Sequence, residues 1–205
     1  MKKMINTLIS LMLLCIAISG WSKDTAPDLL VKNTVDEVIA IIKQDNGIKK
    51  GEKDRILDLV ENKILPHFNF TRMTQLAMGK NWSKVEPQQQ KELVNEFQTL
   101  LVRTYSNALT NYRDEVIEVN PLSPQSDPKN TTVKTVVIQG RGKEPVPIDY
   151  SMEKTDSGWK VFDVTVAGVS LVTNYRSTFN SQIKKGGVNG LIESLAKKNK
   201  SLEGQ

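Results

Sequence analysis

Apolar residues recur at steps of three and four from Asp28 to Gln44, where Val31, Val35, Val38, Ile39 and Ile42 fall on one face, so the spacing predicts an amphipathic helix. Asn46-Gly47 ends it. Lys53 to Leu65 predicts a second, with Ile56, Val60 and Ile64 in register before Pro66, whose ring and missing N–H stop a helix. Asn69 or Thr71 supplies the cap for a short third helix through Met73, Leu76 and Ala77, closed by Gly79. The strongest helical stripe begins at Pro87, a favoured first-turn residue, and carries Leu93, Phe97, Leu100, Leu101, Thr104, Tyr105, Ala108 and Tyr112. At about 1.5 Å per residue, its roughly 25 residues span about 40 Å.

Beyond Arg113 the period changes to two. Glu115 to Asn120, Thr131 to Gln139, Val146 to Glu153 and Trp159 to Val166 read as four strands. Pro121 to Asn130, Gly140-Arg141-Gly142-Lys143 and Asp156-Ser157-Gly158 are too short for crossover helices and rich in turn residues, so the sheet is expected to be antiparallel. In the third strand Val146, Ile148, Tyr150 and Met152 take one face, and Pro147, Asp149, Ser151 and Glu153 the other. Helical spacing returns after Gly168 with Val172, Tyr175, Phe179 and Ile183. Gly186-Gly187 breaks it before a last helix with Val188, Leu191, Ile192 and Leu195, and the chain from Lys197 is expected to fray. The whole is one α+β domain, a twisted four-stranded antiparallel sheet wrapped by about six or seven helices. Periodicity does not distinguish a filled core from helices enclosing an apolar cavity, and a filled core is the default reading.

The N-terminus changes the picture of where the chain works. Met1-Lys2-Lys3, an apolar run from Met4 to Ile18, then Ser19-Gly20-Trp21-Ser22 have the order of a secretory signal. The apolar run of roughly 15 residues is shorter than the about 20 needed to span a bilayer. Residues 1–22 are therefore read as a signal peptide and 23–205 as the mature domain. Ala17/Ser19 and Gly20/Ser22 both fit the small-x-small cleavage rule. The sole cysteine, Cys15, follows Leu13-Leu14 and not the small residue of a lipidation box. Cleavage removes it, and with it disulfides, thiolate metal ligands and a cysteine nucleophile. Loss of Lys2 and Lys3 lowers the formal charge from +5 to +3. Cations this evenly spread, without interleaved stacking aromatics, argue against nucleic acid, and the balance suits work beside anionic membranes.

Candidate chemistry is sparse. His67 is the only histidine, so a zinc site lacks partners and no metal or other cofactor is expected. Gly168-Val169-Ser170-Leu171 lacks the final glycine and parallel strand of a nucleophile elbow, and Gly140-Arg141-Gly142 is a turn between strands. A cone-shaped enzyme site built on Asp149, Asp163, Tyr105 and Tyr150 is weakened because Asp149 alternates onto the face opposite Tyr150. No catalytic residue is assigned, and the chain is not expected to be an enzyme.

Two stretches resemble the MlaC family, also known as toluene-tolerance proteins. One runs from Asn62-Lys63-Ile64-Leu65-Pro66-His67-Phe68 through Gly79 into the Pro87 helix and its end at Thr104-Tyr105-Ser106-Asn107-Ala108-Leu109. The other comprises Gly158-Trp159-Lys160-Val161-Phe162-Asp163-Val164, Ala167-Gly168-Val169-Ser170-Leu171-Val172, Tyr175-Arg176 to Phe179, and Gly187-Val188-Asn189-Gly190-Leu191. The resemblance implies a periplasmic carrier that buries phospholipid tails in an apolar pocket. It would move lipid between outer and inner membranes and so maintain outer-membrane asymmetry. It also implies two docking partners, an inner-membrane ABC transporter complex with an MCE-domain protein and an outer-membrane lipoprotein–porin complex. By position it places pocket lining on Tyr105, Ile148, Tyr150, Val164, Val169 and Leu171. The cations Arg176, Lys184 and Lys185 are expected to aid docking by charge. A monomer is expected. The competing reading is a periplasmic chaperone or carrier for lipoproteins or apolar polypeptide segments.

Overall fold

The computed structural model describes residues 25–112, 114–123, 127–140 and 142–203. The signal peptide expected over residues 1–22 lies outside them.

Helix α1, Pro27–Gln44, opens with proline at its first position. A single-turn helix α2, Asn46–Lys50, follows because Asp45 Oδ1 accepts hydrogen bonds from the Gly47 and Ile48 amides at 2.8 and 3.1 Å. The expected second helix is regular only over α3, Lys53–Leu59. Val60–Ile64 widens into a π turn and Leu65–His67 tightens into a 3-10 turn, as Pro66 withholds a donor. Asn69 caps α4, Phe70–Met78, by accepting from the Arg72 amide at 3.0 Å, and the chain leaves α4 at Gly79 with φ of 54°.

Helix α5, Pro87–Tyr105, starts with a reciprocal capping box between Glu86 and Gln89. It is shorter than the apolar stripe suggests: Ser106–Asn111 forms a 3-10 turn instead. There the side chains of Thr110 and Asn111 both donate to the Asn107 carbonyl, at 2.8 and 3.3 Å, and such local polar bonds compete with the helical ladder.

The sheet is an antiparallel meander of β1 Val116–Val119, β2 Asn130–Ile138, β3 Val146–Thr155, β4 Gly158–Val166 and β5 Val169–Ser170, in that spatial order. The fifth strand corrects the expected count of four. After β4 the chain does not enter the helix directly, because Ala167 and Gly168, with φ of 49° and 83°, reverse it so that Val166 pairs with Val169 and Thr165 with Ser170. Two consecutive positive φ values are the signature of a tight hairpin. Alternation along β4 is broken by one extra residue at Phe162, so Val161 and Val164, three apart, pair with Met152 and Tyr150 on one face.

Helix α6, Leu171–Glu203, is kinked at Gly187, where φ is 66° and ψ −166°, which is the position of the expected break. The end expected to fray is helical to Glu203. Asn199 is only 4% exposed, its amide donates to the Glu96 carbonyl and carboxylate at 2.9 and 2.6 Å, and Arg103 donates to its carbonyl at 2.6 Å.

The interior falls into three packed clusters. The largest joins α4, α5 and α6 around Phe97, whose ring meets Tyr175 and Phe179 edge-on with centroids 5.0 Å away in each case. A second lies between α1 and the sheet, with Val31, Val133, Met152, Trp159 and Val161. The third joins α1, α2 and α3 through Val38, Ile42, Ile48, Ile56 and Leu59. Phe68 packs against both the helical and the sheet cluster, and the Asn69 amide donates to the Val161 carbonyl at 2.8 Å beside it.

Candidate functional site

Register decides which apolar side chains share a surface. Tyr150 pairs with Val133 on one side and Val164 on the other, and Ile148 pairs with Thr135 and Val166. Val166 in turn pairs with Val169. Tyr150, Val164, Ile148, Val166 and Val169 therefore form a continuous row across β3, β4 and β5 on one face of the sheet. Tyr150 and Val164 pack at the border of the sheet cluster. Ile148, Val166, Val169 and Leu171 belong to none of the three clusters, nor do Val137 and Val146 at the same end of the sheet. Ile148 and Leu171 are half-buried, while Val166 and Val169 are 36% and 58% exposed. A contiguous apolar surface left exposed is a common mark of a binding surface.

Two hydroxyl groups interrupt the row. Thr135 is buried and donates to the Ile148 carbonyl at 2.8 Å. Burial raises the pKa of the Tyr150 hydroxyl, opposed by its hydrogen bond with Thr135, so the phenol is neutral near pH 7. Tyr105, at the end of α5, is 43% exposed and lies against α6, where Tyr175 shares hydrogen bonds with Tyr105 and Thr104. Burial, then the neighbouring Tyr105, push the Tyr175 hydroxyl up to about 12. Of the six expected lining residues, the sheet brings Ile148, Tyr150, Val164 and Val169 into one row. Leu171 follows β5 directly, and Tyr105 stands on the helical side.

Other candidates take different roles. Arg176, expected to dock partners, donates from Nε to the Leu76 carbonyl at 2.8 Å and so closes the C-terminal end of α4. Lys184 and Lys185 are exposed on α6. Asp163 lies on the face opposite the row, paired with Ser151, and its carboxylate accepts hydrogen bonds from Ser170 Oγ at 2.6 Å and from the Val172 amide at 3.1 Å. Asp149, also on that face, sits across from Lys134 and Thr165. His67 is half-buried, and burial, then Lys160, depress its pKa against the opposing pull of Glu37. Among the described residues no group of three or more His, Cys, Asp or Glu side chains gathers to hold a metal. A polar surface groove of about 620 Å³ between α1, α2 and α3 is lined by Ile41, Asp45, Lys50, Glu52 and Arg55 and includes none of the six lining candidates.

Sequence reasoning missed Val166, Thr135 and the pairing of Asp163 with Ser170. Val166 follows from strand alternation once the hairpin at Ala167-Gly168 is recognised, whereas the Asp163–Ser170 pair depends on the unforeseen β5.

Residues 32–197 match the family described as MlaC protein. The chain belongs to the MlaC family. It is 23% identical over 174 residues to the intermembrane phospholipid transport system binding protein MlaC of Haemophilus influenzae, covering 84% of this chain and 81% of that one. A toluene tolerance protein of Pseudomonas putida is 24% identical over 162 residues, covering 78% and 74%. Among solved structures, a phospholipid-binding protein from Ralstonia solanacearum, determined in complex with a phospholipid, superposes with a TM-score of 0.80 at 38% identity, covering 87% of this chain and 99% of that one. In this MlaC-family chain, therefore, the apolar row lies within a fold that holds a phospholipid in a relative.

Proposed function

We propose that this chain is a periplasmic phospholipid carrier that shelters acyl tails against the row from Tyr150 to Val169 and transports lipid between the outer and inner membranes. The observation that carries this reading is the apolar row, of which Ile148, Val166 and Val169 lie outside the packed clusters, in a chain 38% identical to a phospholipid-bound protein. Tyr105, Ile148, Tyr150, Val164, Val169 and Leu171 are its proposed lining.

The energetics fit a carrier. Two acyl chains hold roughly 30 methylenes, and at about 0.8 kcal/mol each a phospholipid free in water lies more than about 20 kcal/mol above the bilayer. An apolar shelter removes most of that barrier, so lipid moves between environments of similar free energy. Binding and release break no bond, and the proposed role uses no catalytic group. Release then needs a partner that opens the shelter or energy supplied elsewhere. An inner-membrane MCE-domain ABC transporter complex and an outer-membrane lipoprotein–porin complex are the proposed partners, with the exposed Lys184 and Lys185 among the docking charges.

Organic extraction and native mass spectrometry of the protein purified from its host test the reading. Phospholipid near one molecule per chain is expected. Bound polypeptide without phospholipid would instead favour a chaperone for lipoproteins or apolar segments.

A further inference from the structure

Between β4 and α6 the chain reverses through a short hairpin. Strand β5 is two residues long, and Ala167 sits at φ of 49°, a conformation its Cβ disfavours. Such a residue persists only where its surroundings over-determine it. The Ala167 amide donates to the Pro147 carbonyl at 2.9 Å, and two side chains hold the rest. Asp163 Oδ1 accepts from the amides of Val164 and Val172 at 2.8 and 3.1 Å, and Oδ2 accepts from the Ser170 hydroxyl at 2.6 Å. Ser170 Oγ also accepts from the Thr173 amide at 3.0 Å. Together they tie the end of β4, the hairpin and the first turn of α6 into one piece.

That piece carries Val164, Val166 and Val169, the near end of the apolar row, with Leu171 directly after β5. Asp163 itself points to the other face of the sheet, opposite Ser151. It therefore acts on the row through the backbone it holds.

We propose, resting on the carrier reading, that Asp163 and Ser170 are positioning residues whose latch fixes the Val164–Leu171 segment as one lip of the lipid shelter and so sets how long lipid is retained. Breaking the latch frees the strained hairpin to swing away and lets tails escape.

The test loads the full-length mature protein with a fluorescent phosphatidylglycerol and follows its transfer to acceptor vesicles well below the melting temperature. Asp163→Ala removes three accepted bonds and is expected to raise the release rate by roughly tenfold or more, and Ser170→Ala by roughly threefold. Asp163→Asn still accepts from the Val172 amide and is able to donate to Ser170 Oγ, so it should fall between Asp163→Ala and the native rate. Asn199→Ala, which disturbs a buried amide on the distal half of α6, serves as a comparator for stability loss alone. Native release rates in Asp163→Ala and Ser170→Ala, or release from Asn199→Ala that accelerates equally for an equal drop in melting temperature, would overturn the latch. If Asp163→Ala fails to fold, Ser170→Ala decides the matter alone. Failure of the native protein to load phospholipid at all would overturn the carrier reading, and the latch with it.

Discussion

Ile148 offers the sharpest separation of folding from cargo binding. Its side chain is half-buried between Thr135 and Val166 and contributes to none of the three packed clusters. Replacing it should therefore cost the empty fold little and the loaded state much. A polar group pressed against apolar surroundings without a partner costs about 1–3 kcal/mol, and an ionised carboxylate more. Since each 1.4 kcal/mol is a factor of ten, Ile148→Thr should weaken lipid retention about five- to 100-fold and Ile148→Glu by more than about 100-fold. Val116→Glu is the matched control, because Val116 pairs with Ile138 on the face of the sheet opposite the row. At 56% exposed, Val116 leaves room for the new charge to reach water, and retention should fall by no more than a few-fold. Native mass spectrometry of each variant gives occupancy, and circular dichroism with thermal melting checks the fold. Wild-type occupancy in a folded Ile148→Glu, or equal losses in Ile148→Glu and Val116→Glu, would refute the assignment of this face to the tails.

Phe97→Ala deletes a fully buried ring that touches two others, so a loss of about 3–5 kcal/mol is expected, visible in urea denaturation as a lower midpoint. The depressed pKa of His67 means the unfolded chain binds the proton more readily than the native one. Stability should then rise with pH from the depressed native value up to about 6.5 and be flat above it. Denaturation midpoints across that window should lose this slope in His67→Gln. The double variant Lys184→Glu/Lys185→Glu should slow association with an acidic docking partner by about tenfold at low salt and by little at high salt, as measured by surface-binding kinetics.

The long-period signals were the legible part. The α1 and α4 stripes, the start of α5, the four longer antiparallel strands and the break at Gly187 all follow from local spacing and backbone freedom, and all appear where expected. What failed depended on partners distant in sequence. Nothing local marks Asn199 as buried, because the groups that hold it, Glu96 and Arg103, lie about a hundred residues away. Arg176 reads as a free cation until the C-terminus of α4 is placed beside it. The bulge at Phe162 shifts the phase of β4, so simple alternation from Trp159 would have sent Val164 to the wrong face. Of the lining candidates, period two places only Ile148 and Tyr150 on a shared face, whereas Tyr105, Val164, Val169 and Leu171 rest on family position.

The division of the interior makes a last consequence measurable. Three packed clusters, which take in Tyr150 and Val164 but not Ile148, Val166 or Val169, should suffice to fold the chain, so lipid acts as a ligand of the native state and not as part of its nucleus. Binding to the native state alone adds RT ln(1 + [L]/Kd), about 4 kcal/mol at a thousandfold excess over Kd. For a domain of this size that corresponds to roughly 8–16 °C in melting temperature. Delipidated protein should thus melt cooperatively at the lower temperature and regain the difference on reloading. A delipidated chain that fails to melt cooperatively would place the cargo inside the folding core, and identical melting of loaded and empty protein would place it outside the fold altogether.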